Sequence, residues 1–293
     1  MSTIYVKLMG GLGNQMFQYA TGRALALHHG ADLKLDLSFF ETYQLRRYEL
    51  GVYPIAAAIA KPRELAQVRP IRPRPVGFLE RLRALQWRKP LVMKVESSLY
   101  FDATLIDSPL PLYLDGYWQS EKYFKSYRSR IIEELTPKAR LAPDNIRFLS
   151  IARSRNSIAL HVRRGDYASN AHTNKYHGLA PLEYYENAIA FLIKDRPDSQ
   201  ALIFSDDMEW VRANLRLDIP ITFVDVNGPD RAYQDIYLQA SCHHQVIANS
   251  SFSWWGAWLN TRQGKIVVAP KNWLADPLAG DSRDRIPESW VQL

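Results

Sequence analysis

Three short stretches of this 293-residue chain carry dense polar chemistry directly after apolar runs. SIALHV leads into RRGDY and presents His161, Arg163, Arg164 and Asp166. Arginine offers a planar fork of donors that matches phosphate oxygens two at a time. Asp166 could orient an arginine or take a proton from a hydroxyl; a purely structural Arg–Asp pair is the alternative. ALIF leads into Ser205, Asp206 and Asp207. These acids could bind a cation or accept from the ring N–H and exocyclic amine of guanine. They could equally cap a helix, with Ser205 or Asp206 as N-cap. QVIA leads into Asn249, Ser250, Ser251, Phe252 and Ser253, ahead of a helix-like run. Hydroxyls at a helix N-terminus suit an anion, with simple capping again the alternative.

A fourth stretch lies at the start, IYVKLMGGLGNQMFQYA. A β-type run meets Gly10, Gly11 and Gly13, a helix follows, and Asp36 closes LKLDL about 20 residues on. That pattern is close to a dinucleotide fingerprint. The place of the third glycine, where helix and strand pack closely, is held by Met16. The loop also carries two amides, Asn14 and Gln15, which a backbone cradle for phosphate does not require.

Elements must hold these groups in place. The second half alternates strand and helix: SIALHV, PLEYYENAIAFLIKD, ALIFS, DDMEWVRANL, ITFVDV, AYQDIYLQASC, QVIAN, SFSWWGAWLN and KIVVAP. Such spacing specifies a parallel sheet with right-handed crossovers. In such sheets ligands bind beyond the carboxyl ends of the strands. If the three polar strand ends are neighbours, their groups converge on one crevice. The first half has strand, glycine loop, helix and strand, then a proline-bearing stretch to about residue 110. The strand PLYLDGYW and the helix EKYFKSYRSRIIEEL complete it. Residues 136–156, with Pro137 and Pro143, read as the linker. The expectation is two domains, 1–150 and 151–293, the last residues packing back on the first. An arginine fork, a hydroxyl-bearing helix N-terminus and base-reading carboxylates make a site for a nucleoside diphosphate. A first domain facing that site across a cleft is the arrangement of a nucleotide-sugar transferase.

Composition narrows the classes. A chain of 47% hydrophobic and 23% charged residues is ordinary for a globular protein. The lone Cys242 excludes an internal disulfide and a cysteine zinc cluster. His243 and His244 have no partner at metal-ligand spacing and are expected near a helix end or turn. Trp254 and Trp258 are i,i+4 partners that read as packing. No signal peptide or membrane span is legible, so the expectation is a cytosolic chain. Net charge is +7, with nine Lys/Arg against two Glu in residues 61–90. That stretch reads as a solvated basic loop or as a peripheral contact with an anionic membrane. Nucleic acid is disfavoured because no interleaved aromatic platform accompanies the charge.

GGLGNQMFQYA, HVRRGDY, FSDD and NSSFSWWGAWLN resemble, in order and spacing, the motifs of bacterial α-1,2-fucosyltransferases, glycosyltransferase family eleven. The resemblance spans nearly the whole chain. It implies a GT-B fold of two facing Rossmann-like α/β domains with parallel sheets. It implies GDP-β-L-fucose as donor, no cofactor and no required metal. It also implies transfer with inversion, usually to O2 of galactose on an oligosaccharide or lipid-linked glycan. Position by position, it implies that Arg163, beside Arg164, holds the diphosphate. His161 and Asp206 or Asp207 contact guanine, and Ser250 to Ser253 bind phosphate. Asn14, flanked by Gly13 and Gln15, lies by the fucose and leaving group. A general base is expected at Asp166, with Asp36 as the alternative. Residues 40 to 110 match nothing in the family pattern and are where acceptor specificity is expected.

Overall fold

The computed structural model describes residues 2–43, 45–68, 91–165, 168, 170–276 and 283–293. Residues 69–90, most of the basic stretch, lie outside the described residues, as does Asp166.

The first sheet contains β1 (Thr3–Lys7), β2 (Asp32–Asp36), β3 (Ala58–Ile59), β4 (Val92–Val95) and β5 (Leu112–Asp115), all parallel in the order β3-β2-β1-β5-β4. Helix α1 (Leu12–His29) joins β1 to β2 and ends at Gly30, whose φ of 60° is the left-handed C-cap that favours glycine. The helix lies flat on the sheet because Gly22 has no side chain; a Cβ there would collide with Val6. Gly22 thus supplies the close helix–strand contact that Met16, itself in the core, does not. Helix α2 (Pro62–Val68), at the start of the basic stretch, is tied to the sheet by the Lys34–Glu64 ion pair.

Helix α3 (Arg128–Glu134) is clamped to α1 by a carboxylate. Glu134 takes a two-pronged bond from Arg23 and a 2.6 Å bond from the Tyr19 hydroxyl, which in turn accepts from Ala56 N. The expected linker is not all loop: Pro143–Ala152 forms helix α4, with proline in its first turn.

The second sheet has β6 (Ser157–Val162), β7 (Gln200–Ser205), β8 (Ile221–Phe223), β9 (His244–Val246), β10 (Val267–Ala269) and β11 (Val291–Gln292), parallel in the order β11-β10-β9-β6-β7-β8. Its helices include α5 (Ala171–His177), α6 (Leu182–Ile193), α7 (Met208–Asn214), α8 (Ala232–Ser241) and α9 (Ser251–Leu259). Side chains alternate through the buried strands. Ile158, Leu160, Ala201 and Ile203 pack against Tyr185, Ile189 and Leu192 of α6. Ala159, Leu202 and Phe204 pack on the other face against Phe148 of α4 and Leu238 of α8. Such two-sided burial is what continuous apolar runs such as ALIF signal.

One helix departs from that plan. The tryptophans of α9 belong to the core of the first sheet, with Ile4, Val6 and Phe17. Phe17 of α1 meets the rings of Trp254 and Trp255 at 4.4 and 5.0 Å, and Trp254 stacks on Trp258. Ile286 and Trp290 enter the same core, and Asp284 binds Lys122 and Phe101 N. Two parallel-sheet domains facing one another, with α9 shared between their cores, constitute a GT-B architecture. Among the described residues, no helix is long and apolar enough to cross a membrane.

Candidate active site

Strands β9, β6 and β7 are immediate neighbours, so the three polar strand ends converge as the motif spacing requires. At the first end Arg163 pairs with Asp206 at 2.8 Å. Asp206 also accepts from Arg164 N at 2.8 Å, and a Cβ on Gly165 would collide with its carboxylate. The glycine of RRGD therefore lets the turn close over Asp206.

The two arginines do different work. The Arg164 guanidinium lies 3.6 Å from the centroid of Trp210 and binds Asp207 at 3.3 Å. A guanidinium over an aromatic ring that also hydrogen-bonds a carboxylate is a geometry suited to arginine. It fixes Arg164 to the first turn of α7. Arg163 is half-buried at the convergence, one end of its guanidinium held by Asp206.

Asp207 is the N-cap of α7, accepting from Trp210 N, and Ser205 Oγ accepts from Asp207 N. Capping thus accounts for Ser205 and Asp207, while Asp206 is tied to the arginine turn. His161 is buried beneath Phe252, its ring 5.6 Å away, and its Nδ1 is enclosed without a protein partner. Burial lowers its pKa to about 4, with Asp206 opposing and Arg163 reinforcing the shift. The imidazole is therefore neutral near pH 7, and one nitrogen can accept or donate to a bound base.

At the third end Ser250 caps α9 by accepting from Phe252 N. Ser253 is fully buried, its hydroxyl turned back onto Ser250 O and away from the surface of the turn. Asn249 donates to the carbonyls of His177, Gly178 and Trp273 and so fastens neighbouring loops.

The glycine loop reaches this turn from the other domain. Gly13 abuts the backbone of Ser251 and Phe252, and its carbonyl accepts from Trp255 Nε1 at 2.9 Å. Asn14 stands beside that contact, its Oδ1 accepting from Gln119 Nε2 at 2.8 Å. The loop is thus an interdomain contact, and a pyrophosphate cradle would need the space that α9 fills.

Two sequence-expected ligand groups are spent elsewhere. Gln15 is fully buried; its amide donates to Gly10 O and Arg47 O and accepts from Glu49 N. It positions the segment around residues 47–49 and has no surface left for donor. Asp36 is fully buried, accepting from Ser38 N and from the Tyr113 hydroxyl at 2.7 Å. A base needs access to the acceptor hydroxyl, and Asp36 has none.

A model of glycosyl transferase family 11 matches residues 93–293. The chain belongs to this family. It is 31% identical to an alpha-1,2-colitosyltransferase of Escherichia coli, over the whole of this chain and 99% of that one. It is 31% identical to the O-antigen biosynthesis glycosyltransferase WbnK of Escherichia coli over 99% of this chain and all of that one. It is 26% identical to galactoside alpha-(1,2)-fucosyltransferase 1 of Leontopithecus chrysomelas over 85% of this chain and 63% of the relative. Among solved structures, a mutant FUT1 of Arabidopsis thaliana in complex with GDP gives a TM-score of 0.49 at 10% identity, covering 94% of this chain and 75% of that one. NodZ alpha-1,6-fucosyltransferase soaked with GDP-fucose gives 0.44 at 16% identity, covering 88% and 92%.

In this family-11 chain, three residues beside the motifs carry no motif signal of their own. Trp210, the platform for Arg164, sits inside what reads as an ordinary amphipathic helix. Gln119 and Glu96 fall in segments with no motif, and only their hydrogen bonds to the glycine loop and its neighbour reveal them.

Proposed function

We propose that this chain transfers L-fucose from GDP-β-L-fucose to O2 of a terminal galactose during surface-glycan synthesis, with inversion at the anomeric carbon. The observation that supports the reading is that the Arg163 turn and the N-terminus of α9 follow the adjacent strands β6 and β9, with the glycine loop that carries Asn14 packed on α9 from the facing domain. The acceptor O2 attacks C1 as the bond from C1 to the β-phosphate oxygen breaks. GDP leaves with the electron pair, and the hydroxyl proton passes to a base. The developing negative charge on GDP meets the Arg163 fork and the N–H groups of the first turn of α9, donors already oriented before reaction. His161, neutral and covered by Phe252, is assigned the reading of a guanine edge; its neutral ring, with one donor and one acceptor, supports that role. With Asp36 sealed in the first domain, Asp166 is the assigned base.

The reading includes no metal. Asp206 and Asp207 are each held by an arginine, and a divalent ion would have to compete with those cations for the same oxygens. Full activity in excess EDTA is expected. Activity abolished by EDTA and restored by Mg²⁺ or Mn²⁺ would recast the two acids as ligands.

The test of the whole reading is incubation of GDP-fucose with a panel of terminal-galactose glycans, reading products by mass and linkage. Calorimetry with GDP and UDP should show preference for GDP. A second donor is favoured by one finding, the full-length similarity to a colitosyltransferase. Colitose is fucose without its 3-hydroxyl, so GDP-colitose belongs in the same assay. Faster transfer from it would name the native sugar.

A further inference from the structure

We infer that Gln119 is a positioning residue that fixes the amide of Asn14 for the transfer step. The inference rests on the reading that Asn14 lies beside the transferred sugar and leaving group. Asn14 is held on both sides. Gln119 Nε2 donates to its Oδ1 at 2.8 Å, and its Nδ2 lies over Gly10, where a Cβ would come within 2.6 Å of it. Gly10 has a φ of 75°, so this close approach belongs to the turn itself. With its oxygen engaged by a donor, the Asn14 amide is oriented to present N–H groups and not its carbonyl. That orientation suits an oxygen gaining negative charge.

Gln119 is itself fixed by an unusual loop. It follows Gly116, Tyr117 and Trp118 after the end of β5. Trp118 is buried with a φ of 54°, a left-handed conformation that persists only where the surroundings enforce it. Glu96, just past β4, does the enforcing. Its two carboxylate oxygens accept from Tyr117 N at 2.7 Å and Trp118 N at 2.9 Å. Gly116 allows Glu96 to come this close, since a Cβ there would collide with the Glu96 side chain. A continuous set of contacts therefore runs from the carboxyl end of the first sheet through the loop to Gln119 and Asn14. Held as it is, the loop leaves the Gln119 amide little choice but to face α1.

The test is a double-mutant cycle on the full chain with GDP-fucose and a galactoside acceptor. Variants are Asn14→Ala, Gln119→Ala and the pair, each checked for GDP affinity by calorimetry and for melting temperature. Gln119→Ala is expected to lower kcat by about tenfold to a hundredfold, the scale of a misplaced reacting group. GDP affinity should stay within about twofold, the usual error of additivity. In the Asn14→Ala background, Gln119→Ala should change kcat by less than about twofold, because its effect passes through Asn14. Gln119→Glu, which cannot donate to Oδ1, should behave no better than Gln119→Ala. Equal losses from Gln119→Ala in both backgrounds, or wild-type kcat in Gln119→Glu, would overturn the inference and leave the role of Asn14 standing. Wild-type kcat in Asn14→Ala would overturn that role and this inference with it.

Discussion

Gly13 of the first domain lies against the first turn of α9: a Cβ on it would sit 2.6 Å from the Ser251 carbonyl carbon and 2.7 Å from Phe252 N. Both neighbours are backbone, so no rotamer change can relieve the clash. Gly13→Ala should therefore force the domains apart at the point where Trp255 binds the Gly13 carbonyl. Overpacking of this kind costs about 1–3 kcal/mol, or several degrees of melting temperature. Turnover should fall further, because Asn14 moves with the loop. Gly11→Ala is the control, since its Cβ would meet only the Arg46 side chain, at 3.9 Å. Melting curves and transfer rates that treat the two variants alike would remove Gly13 from the interface argument.

Arg163 and Arg164 should separate cleanly. Arg163→Ala is expected to lower kcat/KM by about a hundredfold or more, the scale of losing one preorganised donor to developing charge, while the fold persists. Arg164→Ala removes the Trp210 stack and the Asp207 contact. It should weaken α7 and reduce GDP affinity more than kcat. Steady-state kinetics with GDP calorimetry distinguishes them, and a larger kcat loss in Arg164→Ala would exchange the roles.

Asp36→Asn should leave kcat nearly intact. The substitution places an N–H₂ where a backbone N–H or the Tyr113 hydroxyl now donates. That mismatch of buried groups costs about 1–3 kcal/mol of stability. A melting shift with retained turnover is the expected pair of readings. Turnover lost without a melting shift would restore Asp36 as the base.

What the sequence makes legible here follows from periodicity and from chemistry at strand ends. The continuous apolar runs of β6 and β7 signal two-sided burial, and the three polar ends following β6, β7 and β9 meet because those strands are adjacent. The glycine loop was harder to read, since glycine serves several purposes that one letter does not distinguish. Gly10 supplies a positive φ, Gly13 an interdomain contact and Gly22 the helix–sheet contact that the fingerprint assigns to the place of Met16. Gln15 and Asp36 look like ligand groups in sequence, yet burial and hydrogen-bond partners contributed from distant residues such as Glu49 and Tyr113 decide against them. Strands of two to four residues, such as β3, β4 and β11, are too short to carry a period. Pairing with neighbours, and not local propensity, creates them.

Glu134→Ala should be among the more damaging changes outside the site. It removes the buried carboxylate from between α1 and α3 and leaves the Arg23 guanidinium and the Tyr19 hydroxyl without their shared acceptor. Breaking one side of a buried pair costs about 3–5 kcal/mol. Because α1 also carries the glycine loop, the loss should show in chemical denaturation and, less strongly, in transfer. Denaturation midpoints unchanged from wild type would mean that solvent replaces the carboxylate.

Acid should weaken the fold through two buried imidazoles. Burial holds the pKa of His161 and of His244 near 4, well below the ordinary 6.5. Between those values the unfolded chain binds a proton on each ring while the folded chain does not. The unfolded state thus carries more protons in that window, so stability falls as pH is lowered from about 6.5 toward 4. Each group contributes on the order of 1–3 kcal/mol across the window. His244 lies in β9, its Nδ1 accepting from Ile266 N, and outside the groups assigned to donor binding. His244→Gln keeps an acceptor there and removes the titration. Urea midpoints at pH 7 and pH 5 should therefore converge in His244→Gln relative to wild type. An unchanged gap between the two midpoints would mean that His244 titrates normally in the folded chain.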